Sequence, residues 1–449
     1  MGAGVSNTPL IGELIAAGID TTVCDKRSRR EFGGVGERLE SLGAKLRLGD
    51  CYLDDLEADI IFRTPGIMPS NPPLEAAVRR GAVLTSEMEV FFEICPCNII
   101  GVTGSDGKTT TTSIIAELLK KEGRRTHIGG NIGTPLLCCA DEMRLGDTAV
   151  LELSSFQLIT MRKSPDIAVF INITPNHLDV HRDMEEYSAA KCNIFRHQKK
   201  SNRAVFNLDN SYTRSIAHDA PADDILFFSR RATLCDGVYC DGENIYDVTG
   251  GERESIMRAD DIFLPGAHNI ENFMAAFAAV RGLVSHAAMA ETARTFRGVR
   301  HRLELAGEVN GVRYYNDSIA TSPARTIAGL RAFDRKVILI AGGYDKGVPF
   351  DELGAEIPSH VKTLILTGLT AEKIQAEVKK AAGCTGGPEI IIREDFSEAV
   401  LAAHDSAQAG DIVLLSPACA SFDRFKDFQE RGNLFTEIVN KELSKNKLC

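Results

Sequence analysis

Apolar residues recur along this chain in two rhythms. Short unbroken apolar runs bounded by glycine or acidic residues read as buried strands, and runs with a period near 3.6 read as helices. Over residues 1–95 the two alternate. Strands are expected at Thr21–Cys24, Lys45–Leu48, Asp59–Phe62 and Ala82–Leu84, and helices at Leu10–Ala17, Glu31–Leu42, Pro73–Arg79 and Glu87–Glu93. Further apolar runs follow at Ile99–Val102, Ala149–Leu153 and Ile167–Ile173. The alternation returns after residue 298, with strands at Val337–Ala341, Thr363–Leu366, Ile390–Ile392 and Ile412–Leu415. Strand and helix in alternation specify an α/β fold with parallel sheets.

One stretch carries distinct chemistry. Asn98–Thr112 reads NIIGVTGSDGKTTTT: a strand, a turn through Gly104-Ser105-Asp106-Gly107, then Lys108-Thr109 opening a helix that stops at Gly123. Glycines let backbone N–H groups approach phosphates, and the helix N-terminus adds partial positive charge. Lys108 would reach the outer phosphates and the Thr109 hydroxyl a Mg²⁺ ion. The general pattern wants glycine where Val102 stands, so the loop is a variant. Glu152 ends the next apolar run, where a carboxylate beside a phosphate loop serves as second metal anchor. The run Gly129-Gly130-Asn131-Ile132-Gly133 reads as a glycine turn, and His177 emerges beyond a strand's carboxyl end. Lys191 falls in a helix expected over Glu185–His197, and on pattern alone it is a solvated helix residue.

Toward the N-terminus, Gly2-Ala3-Gly4-Val5-Ser6-Asn7 looks like the opening glycine turn of a doubly wound fold, with Asp25 where a ribose-reading acid sits. The strand that should precede this turn is missing, which points to a shortened start. Asn7 also replaces the third glycine, so an NAD site is not expected. Toward the C-terminus three loops follow strands: Asn316-Asp317-Ser318, Gly342–Gly347 and Ser416–Ser421. Loops in that position are where α/β folds build sites.

Length and composition narrow the setting. At 449 residues the chain is too long for one core, and three domains are expected: 1–95, 96–297 and 298–449. With 44% apolar and 25% charged residues and no long apolar run, it reads as soluble and without a membrane span. A net charge of −11 argues against nucleic acid as partner, though a local basic pocket can still hold small anions. The twelve cysteines lack metal-ligand spacing and read as reduced, mostly buried thiols; Cys95-Pro96-Cys97 and Cys138-Cys139 are too tightly spaced for a zinc knuckle.

The phosphate loop TGSDGKTT, LELSSFQL at Leu151–Leu158, GGNIG, NITPNHLD, PGAHNIENFMAA at Pro265–Ala276, HRLE at His301, YNDSIATSP and GGYDKG together resemble the Mur ligases, the ATP-dependent enzymes that build the peptide stem of bacterial cell-wall precursors. The resemblance spans nearly the whole chain, and SPACASFDRFKDFQERGNLF at Ser416–Phe435 is similar to the D-glutamate-adding branch. It implies a Rossmann-like N-terminal domain holding a uridine-diphosphate substrate, a central ATPase domain, and a Rossmann-like C-terminal domain that closes over ATP and binds D-glutamate. The implied partners are UDP-N-acetylmuramoyl-L-alanine and D-glutamate, and the implied cofactors ATP and Mg²⁺, in a cytoplasmic monomer.

The same resemblance assigns roles by position. Gly104, Ser105, Asp106, Gly107, Lys108, Thr109 and Thr110 would hold the ATP phosphates, with Asn269, Asn272, Arg302 and Asp317 around the rest of the nucleotide. Thr109 and Glu152 would hold one Mg²⁺; His177 and a carbamylated Lys191 would hold the second. Asn131 and Ser154 would meet the muramoyl group, and Ser6, Asp25, Thr64, Pro65 and Gly66 the uridine diphosphate. Thr321, Lys346, Ser421 and Phe428 would surround D-glutamate, Phe428 through its backbone. Where some members carry lysine after Asp-Ser, this chain has Ile319. Folylpolyglutamate synthases carry a similar phosphate loop, so that activity, or nucleotide binding without catalysis, is the alternative on the loop alone.

Overall fold

The first 95 residues fold as four strands, β1 (Thr22–Asp25), β2 (Lys45–Leu48), β3 (Ile60–Phe62) and β4 (Val83–Thr85), with helices α1 (Asn7–Ala16), α2 (Arg29–Ser41), α3 (Pro72–Arg79) and α4 (Glu87–Ile94) between them. The computed structural model describes every residue except 5, 6, 134, 176, 178, 179, 346, 384–386 and 444–449, and except the side chain of Glu442. Each expected N-terminal element is present within a few residues. The strands form two separate parallel ladders, β1 with β2 and β3 with β4. Met1 and Gly2 run between the ladders: the Met1 amino group donates to Phe62 O (2.6 Å), and Gly2 N–H donates to Cys24 O (2.7 Å). Thr64 N–H donates back to Met1 O (3.1 Å). The first residues therefore occupy the line on which the central strand of such a fold runs.

The following elements are β5 (Asn98–Thr103), α5 (Lys108–Lys121), β6 (Thr126–Gly130), β7 (Thr148–Glu152), α6 (Ser155–Leu158), β8 (Ile167–Phe170), α7 (Met184–Arg196), β9 (Arg203–Asn207), α8 (Ser211–Ile216), β10 (Asp224–Ser229), β11 (Gly237–Cys240), β12 (Asn244–Thr249), β13 (Glu252–Arg258), α9 (Ala267–Ala279) and α10 (His286–Thr295). They build a nine-stranded sheet in the order β13-β12-β11-β10-β9-β8-β5-β7-β6, parallel except for the pairings of β12. Strand order reverses at β5, which has β7 on one side and β8 on the other. That is the switch point at whose carboxyl side open α/β sheets bind ligands. Ile99, Leu151, Leu153, Phe170, Phe195 and Phe206 pack one face of this sheet into a continuous core.

Two local expectations are corrected here. Gly129 and Gly130 are not part of a free turn but the last residues of β6. Gly130 has φ 94°, and a Cβ there would lie 2.2 Å from Glu152 O, so only glycine permits this approach to β7. The run Ile167–Ile173 is a strand only to Phe170. Ile171 N–H still donates to Thr103 O (3.0 Å), but Asn172 then turns its carbonyl toward the phosphate loop.

A second compact unit comprises residues 263–267 and 295–449; the first comprises 1–262 and 268–294. The boundary near residue 95 is thus one between sheets inside the first unit. The second unit contains β14 (Glu304–Val309), β15 (Val312–Asn316), α11 (Pro323–Leu330), β16 (Val337–Ala341), α12 (Asp351–His360), β17 (Val361–Leu366), α13 (Ala371–Ala382), β18 (Glu389–Ile392), α14 (Phe396–Asp405), β19 (Ile412–Leu415) and α15 (Phe428–Glu437). Its sheet order is β14-β15-β19-β16-β17-β18, parallel apart from the β14–β15 hairpin. Successive residues of a strand face opposite sides. Accordingly Leu339 and Leu414 join one core with Ile357 and Ile374, while Ile338, Ile340 and Val413 join another with Val400 and Phe435. Helices cover both faces, which is why these strands read as unbroken apolar runs.

Candidate active site

At the end of β5 the chain turns through Gly104–Gly107 into α5. Gly107 takes φ 83° as the residue before the helix, and a Cβ there would sit 2.4 Å from the Asn272 side-chain oxygen. The loop is pinned from β8's continuation. Asn172 Oδ1 accepts from Ser105 N–H (3.1 Å) and Asp106 N–H (3.0 Å), and Asn172 Nδ2 donates to Asp106 O (3.2 Å). Ser105 Oγ donates to Thr174 O (2.9 Å) and lies 3.1 Å from the Tyr187 hydroxyl. Lys108 Nζ folds back over the loop, donating to Gly104 O (2.9 Å) and Ser105 O (2.8 Å). Thr110 is buried in the first turn of α5.

The Glu152 carboxylate, at the carboxyl end of β7, gathers two other assigned residues. Thr109 Oγ1 donates to Glu152 Oε2 (2.6 Å) and Asn131 Nδ2 to Glu152 Oε1 (2.7 Å). Carboxylate and hydroxyl oxygens on rigid elements are the hard donors that Mg²⁺ takes, so this pair fits the metal the resemblance implies. Asn269 and Asn272 reach the same loop from α9: Thr111 Oγ1 donates to Asn272 Oδ1 (3.3 Å), and Asn272 Nδ2 to Asn269 Oδ1 (3.2 Å).

Lys191 corrects the reading of a solvated helix residue. It is 2% exposed, and its ammonium donates to Gly104 O (2.8 Å) and lies 4.8 Å from the centre of the Tyr187 ring. Burial, and then the nearby charge of Lys108, hold its pKa well below the ordinary lysine value, against the opposite pull of Glu152 and Asp106. The helical period contains this placement: Tyr187, Ala190, Lys191 and Ile194 share one face of α7, and all are buried. His177 is exposed, with φ 56°, and its ring meets Phe156 edge-on at 5.1 Å. Both His177 and Lys191 flank the Tyr187 ring. Among the described residues no three His, Cys, Asp or Glu side chains cluster as a ready metal cage.

Other assigned residues have defined local duties. Ser154 caps α6 in a reciprocal capping box with Gln157. Asp25 accepts from Ala3 N–H (3.0 Å) and from the Arg27 guanidinium, whose hydrogen bond holds the carboxyl down to about 2. Thr64, Pro65 and Gly66 form a turn closed by Ile67 N–H on Thr64 O (3.1 Å). Ser6 and Lys346 lie outside the described residues.

In the second unit the loops after β15, β16 and β19 emerge from adjacent strands. Asp317 is buried, accepts from Ser416 Oγ (2.8 Å) and Leu303 N–H (3.3 Å), and is pushed up to about 7, chiefly by burial. Ser318 Oγ donates to Phe428 O (2.8 Å), so the Phe428 backbone is tied to the Asp317 loop. Ser421 is buried, its carbonyl accepting from Phe425 N–H (2.8 Å), and Thr321 N–H donates to Ile319 O (2.8 Å). Arg302, partly buried, pulls the Asp317 pKa down against burial.

Asp317 yields a pH prediction. Its folded pKa lies above that of an exposed carboxyl, so the native state holds a proton that the unfolded chain releases between about pH 4 and pH 7. Stability from this group is complete below that window and lost as pH rises through it. Asp317→Asn should therefore flatten the fall in urea midpoint across that window. An unchanged slope in the variant would show that other groups set it.

Two buried arginines were not singled out in the sequence. Arg63, 1% exposed, donates from Nη1 to Ile67 O (3.2 Å) and from Nη2 to Phe156 O (2.7 Å) and Thr160 Oγ1 (3.0 Å). It ties the Thr64–Ile67 turn to α6. Arg431 joins α15 to Ser318, Cys419 and Ala420, and burial brings its pKa down to about 10.

Comparison with known proteins agrees across the chain. Residues 102–280 match the Mur ligase middle domain and residues 301–419 the Mur ligase glutamate ligase domain. The UDP-N-acetylmuramoylalanine–D-glutamate ligase of Acetivibrio thermocellus is 50% identical over 444 residues, 98% of this chain and 95% of the relative. That of Clostridium novyi is 48% identical over the same shares. Among solved structures, UDP-N-acetylmuramate–alanine ligase from Thermotoga maritima has a similar fold, with a TM-score of 0.60 at 18% identity over 98% of both chains.

Proposed function

Because the chain belongs to the Mur ligase family, as an ATP-dependent ligase that adds D-glutamate to UDP-N-acetylmuramoyl-L-alanine in peptidoglycan precursor synthesis, we propose the following roles for its residues. The observation that carries this reading is the Lys108–Thr109–Glu152–Asn131 cluster at the switch point of the large sheet, in a chain so similar to D-glutamate ligases. The loop amides and Lys108 bind the outer phosphates of ATP and keep the γ-phosphoryl in line with the L-alanyl carboxylate oxygen. Attack by that oxygen forms the acyl phosphate and releases ADP.

Thr109 and Glu152 would hold one Mg²⁺, and His177 with carbamylated Lys191 a second; bound there, the ions would neutralise charge on the transferring phosphoryl. Asn269 and Asn272 support the loop and the nucleotide from α9. Asn131 meets the muramoyl substrate, and Ser154 acts there through the helix it caps. The turn at Thr64–Gly66 and the segment held by Asp25 bind the uridine diphosphate, giving residues 1–95 a substrate role distinct from the ATPase segment that follows. In the second unit Arg302 and Asp317 serve the nucleotide. Thr321, Lys346, Ser421 and the Phe428 backbone receive D-glutamate, whose amine attacks the acyl phosphate and expels phosphate from a tetrahedral intermediate. A need for ATP and a uridine-nucleotide substrate supports a cytoplasmic setting for this reaction. No helix among the described residues is long and apolar enough to cross a membrane.

The test is ADP release with UDP-N-acetylmuramoyl-L-alanine, Mg²⁺ and either enantiomer of glutamate. Release should require D-glutamate. Equal rates with L-glutamate, or activity with tetrahydrofolate and L-glutamate instead, would overturn the assignment.

A further inference from the structure

The joint between α4 and β5 holds chemistry that the ligase reaction does not use. Cys95 directly follows α4, its N–H donating to Phe91 O (2.9 Å), and its ψ of 120° sends the chain out of the helix. Pro96 is exposed; Cys97 then precedes β5, the strand that leads into the phosphate loop. The two sulfurs lie 3.4 Å apart. Cys95 is half-buried, whereas Cys97 packs in the core beside Ile99 and Phe92.

We propose that Cys95 and Cys97 form a thiol–disulfide exchange site, with Cys95 the attacking sulfur, Cys97 the resolving one, and a low-molecular-weight disulfide as oxidant. Three features set this order. Cys95 is half-buried and Cys97 buried, so Cys95 is the more open sulfur for the first attack. The two thiols share a hydrogen bond in which either sulfur can donate; with Cys97 donating, the Cys95 pKa is held down and that of Cys97 is driven up, which favours the thiolate at Cys95. The sulfurs already lie 3.4 Å apart and need only close to the ordinary bond length of about 2.05 Å.

The exchange balances in two steps. The Cys95 thiolate attacks one sulfur of the external disulfide; a mixed disulfide forms and one external thiolate leaves. Cys97 gives its proton to that thiolate or to water and attacks the Cys95 sulfur, and the second external thiolate leaves. Two protein thiols are oxidised by two electrons and one external disulfide is reduced to two thiols. The product is a small ring at the point where the N-terminal ladders join the large sheet.

The experiment treats the folded, full-length protein with oxidised glutathione and reads intact and peptide masses. Exposed Cys51 and Cys235 serve as internal controls for reagent access. In the unaltered protein, Cys95 and Cys97 should lose two hydrogens together and appear in one cross-linked peptide. Cys97→Ser should stop with one glutathionyl group on Cys95, and Cys95→Ser should leave Cys97 reduced. A stable glutathionyl on Cys95 in the unaltered protein would overturn the proposal. So would an unmodified Cys95 while Cys51 and Cys235 react; both readings need no variant to fold.

Discussion

Lys108→Ala should lower the rate of ADP release by about 10²–10³-fold, the usual loss when a preorganised group facing developing charge is removed. The ammonium donates to two loop carbonyls, Gly104 O and Ser105 O, and so stands over the cradle into which the outer phosphates fit. Gly104 O keeps its bond from Lys191 Nζ (2.8 Å) after truncation, so of these two carbonyls only Ser105 O loses its bond. The urea midpoint should therefore change little while turnover collapses. Binding of the uridine substrate should also persist, because the groups assigned to it lie in other elements. A near-normal rate in a folded Lys108→Ala protein would mean that the loop does not hold the transferring phosphoryl.

Lys191→Ala should be almost inactive, again by at least about 10²-fold, and a small added carboxylate such as acetate should restore part of the rate. An ordinary lysine is cationic near neutral pH and offers a metal no lone pair. Here burial and Lys108 favour the neutral amine, which is the form that adds CO₂ and releases a proton to give a carbamate. A carbamate supplies the oxygen donors Mg²⁺ prefers. Truncation opens space beside Thr103 and Tyr187 for acetate. Lys191→Arg should stay inactive with or without acetate, because guanidinium remains charged and fills that space. Full activity of either variant in CO₂-free buffer would reduce Lys191 to a packing role.

Much of the site was legible because its parts are contiguous in the chain. The phosphate loop, Lys108, Thr109 and Glu152 at a strand end follow from local pattern, and the strands of the N- and C-terminal segments follow from unbroken apolar runs. What escaped depends on distant partners. Asn172 pins the loop across 67 residues, Arg63 meets Phe156 across 93, and Arg431 meets Ser318 across 113. No spacing rule connects such pairs. Lys191 was assigned a role by resemblance alone, although its place on the apolar face of α7 was available from the helical period. The strands β9–β13 were not assigned; β13, for example, carries Glu252, Arg253, Glu254 and Arg258, which dilute the alternation that marks a strand.

Arg63 has one more implication, for behaviour in concentrated electrolyte. Its guanidinium bridges the Thr64–Ile67 turn and α6 through two carbonyls and a hydroxyl. At ordinary ionic strength mobile ions screen exposed pairs over about 10 Å of water, and more salt shortens that reach. Pairs such as Lys45 with Asp20 or Arg29 with Glu40 are open to that screening. The arginine is closed to water and the acceptors of its three hydrogen bonds are uncharged; the Glu89 carboxylate, which accepts from Thr160 Oγ1 (3.1 Å), is the counter-charge that acts on it, so salt bears on that attraction and not on the hydrogen bonds themselves. The hydrogen-bonded union of the N-terminal ladders with the large sheet is thereby less sensitive to the ionic medium than the exposed surface pairs are.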